Sequence, residues 1–163
     1  MVRESIFSVL WSQLGDFGGK TLLDGYCGSG ILGLEFLSRG AAFVDFVEKS
    51  GANLQSFRKN ILAFETEIEH RYRYWHGSMS WFLDQADPQK NWDVVWFDPP
   101  FSTFPEIEIH SVLSQRKPFL FGIHVSKFRF HPYRNLLQRY TPGYHEVYAK
   151  TFGESSILVL RKQ

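Results

Sequence analysis

The chain has 163 residues, 44% of them hydrophobic and 21% charged, which gives room for one ordinary domain and excludes disorder as the main state. One cysteine excludes an internal disulfide, no Cys/His spacing suggests zinc, and no apolar run approaches the ~20 residues of a membrane-spanning helix. The net charge of +1 hides an asymmetry: residues 65–104 carry three Lys/Arg against seven Asp/Glu, and residues 105–163 carry nine against four.

The pattern of apolar residues predicts an amphipathic helix over Val2 to Leu14, with Ile6, Val9, Leu10 and Leu14 on one face. Gly15, Gly18 and Gly19 end it. A short strand follows over Lys20 to Asp24, then a glycine-rich turn over Gly25 to Gly30 and a helix over Ile31 to Ser38. A second strand is expected over Ala42 to Val47. A helix over Leu54 to Phe64 turns Leu54, Phe57, Ile61 and Leu62 inward. Ile68 to Trp75 reads as a third strand, Ser80 to Gln85 as a helix, and Trp92 to Phe97 as a strand buried on both faces. Beyond Pro105 come a helix to about Gln115, a strand over Phe119 to Val125 and a short helix over Tyr133 to Arg139. Tyr144 to Thr151 and Ser155 to Leu160 are joined by so short a turn that they must pair antiparallel. Strands alternating with helices imply a mostly parallel sheet with helices on both faces. No internal repeat, linker or N-terminal leader is evident, so a cytoplasmic, monomeric globular domain is expected, with no metal and no membrane contact.

Two segments carry chemistry. Asp24-Gly-Tyr-Cys-Gly-Ser-Gly30 lies between a strand and a helix, where glycines let the backbone approach a ligand and the helix offers free amides. Glu48 lies 20 residues after Gly28, at the end of the next strand, where an acid accepts ribose hydroxyls. Gly28, Gly30 and Gly33 also satisfy the dinucleotide pattern, so an NAD-dependent oxidoreductase is one reading. Asp24 disfavours it, because an acid at the strand end repels a pyrophosphate and suits a cationic ligand; its bland alternative is a turn cap. The second segment is Asp98-Pro99-Pro100-Phe101 after the strongest strand. Two prolines fix the backbone and present carbonyl acceptors, Asp98 adds a carboxylate, and Phe101 adds a flat face. That set suits a planar amine; its bland alternative is a rigid turn after a strand, with Phe101 in the core.

Together these segments resemble class I S-adenosylmethionine-dependent methyltransferases, and more specifically the RsmD family of 16S rRNA guanine-N2 methyltransferases. The resemblance runs from Val2-Arg3-Glu4, Phe7 and Leu10 through Leu32 to Glu35, Ser38 to Ala41, Val47 to Lys49 and Asn60 to Asp98–Phe101, and on to Lys150, Phe152 and Gly153. It implies a Rossmann-like domain over residues 1–163, with seven strands and a C-terminal antiparallel hairpin. It implies S-adenosylmethionine as cofactor. Asp24, Gly28 and Gly30 would hold the methionine end and Glu48 the ribose, with Ser78 near adenine and Tyr26, Lys49 and Met79 completing the set. Asp98, Pro99, Pro100 and Phe101 would bind the amine of a guanine in 16S rRNA or the assembling small subunit. Apart from the resemblance, the basic surplus of the C-terminal third reads first as a solvated surface with helix-end charges, and alternatively as a face that could meet phosphates.

The chain departs from the family at three points. Met1 precedes Val2 directly, so the family's N-terminal RNA-binding segment is expected to be missing. Gly77-Ser78 stands where Asp or Asn is usual beside adenine. His124 or Ser126 stands where an acid is common, and His124 reads as a structural histidine. Cys27 reads as a small loop residue, not a nucleophile. An adenine-N6 methyltransferase and a weakened RNA-binding remnant are the further alternatives.

Overall fold

The computed structural model describes residues 2–64 and 68–163. Seven strands form one sheet in the order β3-β2-β1-β4-β5-β7-β6. They are β1 Thr21–Gly25, β2 Phe43–Glu48, β3 Tyr72–His76, β4 Val94–Phe97, β5 Leu120–Ser126, β6 Tyr144–Phe152 and β7 Ser155–Lys162. β1 to β5 run parallel; β7 is antiparallel to β5 and to β6. The expected closing hairpin is therefore present.

Each central strand is buried on both sides, so neighbouring residues serve different cores. Leu22, Val44, Val94 and Trp96 face one core, packed under α1 (Val2–Leu14), α2 (Ile31–Ser38) and α3 (Gly51–Ile61). Leu23, Val47, Val95 and Phe97 face the other, under α4 (Met79–Gln85), α5 (Glu106–Ser111) and α6 (Lys127–Tyr140). Continuous apolar strands rather than alternating ones are the mark of a sheet covered on both faces.

Several element boundaries differ from expectation for local reasons. α3 starts at Gly51, because the Ser50 side chain accepts the Asn53 N–H and caps it; Leu62 then lies past its end and is exposed. β3 is confined to Tyr72–His76, where it pairs with β2. α5 runs into a π-helical turn, Val112–Arg116, that ends at Lys117 with a left-handed φ of 47°. α6 begins six residues before the expected Tyr133, capped by Ser126, and carries Pro132 within it.

The basic surplus of the C-terminal third is partly spent on structure. Arg116 is buried, its guanidinium bonded to the carbonyls of Leu83, Ala86, Asp87 and Lys90. Lys127 pairs with Glu154 and Arg134 with Glu146. Arg161 donates to Gln13 on α1.

Candidate active site

The chain leaves β1 toward β2 and β3 on one side of the sheet, then returns to β4 on the other. That reversal opens a crevice beyond the carboxyl ends of the strands, the usual place for a ligand in such sheets. A cavity of about 680 Å³ fills it, walled by the loop after β1, the end of β2, the Asp98–Thr103 segment and the first turn of α1.

Register decides which side chains meet there. Gly25 pairs with Val47 on one side and with Phe97 on the other. Glu48 and Asp98 therefore each stand one residue beyond Gly25's partners, flanking the glycine loop. The Asp98 N–H extends the ladder by donating to the Gly25 carbonyl at 3.1 Å.

The loop is held from both flanks. Glu48 accepts the Gly28 N–H at 3.0 Å with one oxygen and the Ser50 N–H at 2.8 Å with the other. Asp24 is buried and accepts the Gly33 N–H at 3.0 Å, so it caps the third residue of α2 from the end of β1. The bland turn-cap reading of Asp24 is thus correct as structure, and the same carboxylate also lines the cavity. Gly30 has a left-handed φ of 77° and offers no side-chain cap, which explains why Asp24 does the capping. A β-carbon on Gly33 would lie 2.3 Å from Phe46 and 2.9 Å from the Asp24 carboxylate, so only glycine lets α2 approach this closely. Asn60 at the end of α3 donates to the Ser29 carbonyl and ties down the loop's far side.

Three carboxylates, Asp24, Glu48 and Asp98, line the cavity beside Arg3 and Lys49. Burial raises the Asp24 carboxyl well above its ordinary range; the Gly33 N–H opposes this, and the charges of Asp98 and Glu48 add to it. Burial, then the charges of Asp24 and Glu48, push the Cys27 thiol far up as well, so it carries no thiolate at neutral pH. Tyr26, with a φ of 59°, packs edge-on against Phe97 at 5.4 Å; its phenol is raised by burial and by Glu108.

Asp24, Tyr26, Gly28, Glu48, Lys49, Asp98, Pro99, Pro100 and Phe101 all line the main cavity. Ser78 and Met79 line a smaller adjoining pocket of about 130 Å³, which shares Tyr26, Glu48 and Lys49 with the first. The Ser78 hydroxyl caps α4 by accepting the Trp81 N–H. Gly30 shapes the loop from behind, against the Phe57 ring. One detail of the proline segment is corrected: the Pro100 carbonyl accepts the Thr103 N–H at 2.8 Å and closes a turn, so the two proline carbonyls are not equivalent acceptors. Phe101 is 45% exposed at the cavity wall, in position to stack on an entering ring.

Other wall residues escaped the sequence reading. Ile31 is an exposed apolar residue at the start of α2, and Asn53 lies in the first turn of α3. An apolar residue opening a helix directly after a glycine loop was the usable signal for Ile31. The buried Trp96 indole N–H, at the wall, has no hydrogen-bond partner among the described residues. His124, read as structural, brings Nδ1 to 3.1 Å from an Asp98 oxygen.

Against this geometry, the family model described as Conserved hypothetical protein 95 matches residues 1–120. The chain belongs to that family. The RsmD resemblance is thereby borne out. The chain is 35% identical over 100 residues to the ribosomal RNA small subunit methyltransferase D of Haemophilus influenzae, covering 61% of this chain and 50% of that protein. It spans about half the length of the curated relatives it matches. Among solved structures, a candidate methylase of Haemophilus influenzae superposes with a TM-score of 0.74 at 27% identity, over 99% of this chain and 96% of that one. A candidate methyltransferase of Escherichia coli gives 0.76 at 25% identity, over 99% and 86%. The Rossmann-like methyltransferase fold is therefore established.

Proposed function

We propose that this chain is an S-adenosylmethionine-dependent methyltransferase of small-subunit rRNA, and that its acceptor is the exocyclic N2 amine of a guanine. The observation that carries the cofactor is the convergence of Asp24 and Glu48 on one cavity around the glycine loop, with the Asp24 carboxyl raised by burial first and then by the charges of Asp98 and Glu48. Such a cavity favours a ligand bearing an ammonium and a sulfonium, and it disfavours the pyrophosphate of a nicotinamide dinucleotide. Asp24 and the Gly28–Gly30 loop would hold the methionine end and Glu48 the ribose. Ser78, Met79 and the adjoining pocket would hold adenine. Bound there, the cofactor would supply its sulfonium methyl group to the amine nitrogen and leave as a neutral thioether, with the amine's lost proton passing to Asp98 or water.

The protein's own work is then alignment. Asp98 and the Pro99 carbonyl accept the amine's N–H groups, and Phe101 stacks on the base. In this proposal residues 1–163 act as one domain, and the RNA supplies much of the specificity through its shape. The names of the rRNA methyltransferase relatives support the substrate class.

The test is incubation with methyl-labelled S-adenosylmethionine and unmethylated small subunits, followed by nucleoside mass spectrometry. N2-methylguanine is the expected product. Label only in N6-methyladenine would replace guanine by adenine as the acceptor. No label in any RNA, or tight NADH binding without binding of S-adenosylhomocysteine, would overturn the proposal.

A further inference from the structure

We propose that His124 is a positioning residue for Asp98, holding one carboxylate oxygen so that the other faces the incoming amine; this rests on the functional reading above. β4 and β5 pair Phe97 with Ile123, so Asp98 and His124 are the next pair along the ladder. Their side chains meet there, with Nδ1 3.1 Å from Oδ1. The same imidazole meets the Phe101 ring edge-on, with centroids 5.6 Å apart and planes at 82°. One side chain thus touches both the acceptor and the stacking face.

The surroundings fix the tautomer. A carboxylate only accepts, so Nδ1 must carry the proton. Nε2 is buried and has no hydrogen-bond partner among the described residues. A proton there would be a stranded donor, whereas a bare acceptor is the cheaper orphan. The Nδ1-protonated tautomer therefore fits this site, the opposite of the one a free histidine prefers. Asp98 is half-exposed, with 51% of its side chain accessible against 16% for His124. A half-exposed carboxylate at a strand end rotates freely unless something holds it. A carboxylate in place of His124 would repel Asp98; the imidazole donates to it.

The geometry has two independent readouts. Long-range proton–nitrogen NMR of the full chain should show His124 with Nδ1 protonated and Nε2 bare, and Asp98→Ala should shift both signals. In methyl transfer to unmethylated small subunits, His124→Ala should lower kcat by about 10–100-fold, the scale of a misplaced catalytic group. Its affinity for S-adenosylhomocysteine should stay within about 2-fold, because no cofactor contact changes. His124→Asn, which places an amide N–H near the position of Nδ1, should recover most of the rate. A bare Nδ1, or an undiminished kcat in a folded His124→Ala, would overturn the proposal. If the wild-type chain transfers no methyl group to RNA, the functional reading falls, and the NMR result still decides whether His124 holds Asp98.

Discussion

Under the proposed function, Asp24 serves stability and binding in opposite senses. Its carboxyl, ordinarily near 3.8, is raised well above that in the fold, chiefly by burial. Between the two values the folded state binds more protons than the unfolded one. Stability from this group is therefore fully present below 3.8 and is lost as pH rises through the folded value. Asp24→Asn keeps an acceptor for the Gly33 N–H and removes the charge. It should raise Tm at neutral pH by about 2–4 °C, the shift ~1 kcal/mol gives in a domain of this size. The gain should shrink on acidification, as thermal melts across pH would show. S-adenosylmethionine affinity should fall about 10–100-fold by calorimetry, the loss of one charge-assisted hydrogen bond. Asp98→Ala should do the reverse: a large loss of kcat with cofactor affinity nearly kept. Asp24 and Asp98 were both legible in the sequence, because each ends a strongly patterned strand. The partner of the Asp24 cap, the Gly33 N–H, was not, since it lies nine residues away across a folded loop.

At the scale of elements, the geometry of the cavity depends on how closely α2 packs on β1 and β2. Gly33→Ala would press a methyl group into Phe46 and Asp24. It should cost about 1–3 kcal/mol of stability in denaturant unfolding and weaken cofactor binding by displacing Asp24. Asp45, fully buried on β2, accepts the indole N–H groups of Trp75 and Trp92 and pairs with Lys90. It links three stretches that were read only as separate strands. Asp45→Ala strands two indole donors and should cost at least ~2 kcal/mol, with Asp45→Asn milder because an acceptor remains. Tyr133 on α6 reaches the Thr103 carbonyl and stacks on Phe104 at 4.0 Å, bracing the far end of the proline segment. The early start of α6 was hidden by Pro132, whose missing N–H argues locally against a helix there.

Across the whole molecule, a ligand that crosses from β1 and α2 to β4 should stabilise the fold as a unit. S-adenosylhomocysteine at 100 times its Kd should add about 2.7 kcal/mol, raising Tm by roughly 5–10 °C in a thermal-shift measurement. NADH should leave Tm unchanged. Charge also changes meaning at this scale. Nine basic residues in the C-terminal third suggested a phosphate-binding face. Arg116 is interior, and Lys127, Arg134 and Arg161 are engaged by side chains of the protein itself. Under the proposed function, any phosphate contact in that third would be left to residues such as Arg129, Arg139 and Lys150.

Local chemistry was enough to determine the parallel sheet, the glycine loop and the double-proline segment after β4. Apolar strands, punctuating glycines and paired prolines act over a few residues, and their pattern survives in one dimension. The acid 20 residues beyond Gly28 was equally legible, because one helix and one strand span that distance in any such fold. Only the tertiary structure decided what the strand ends face. Sheet register set Glu48 and Asp98 on either side of Gly25 and placed His124 against Asp98, 26 residues away. Pairing between strands is chosen by the packing of two whole cores, and no short stretch of sequence carries it.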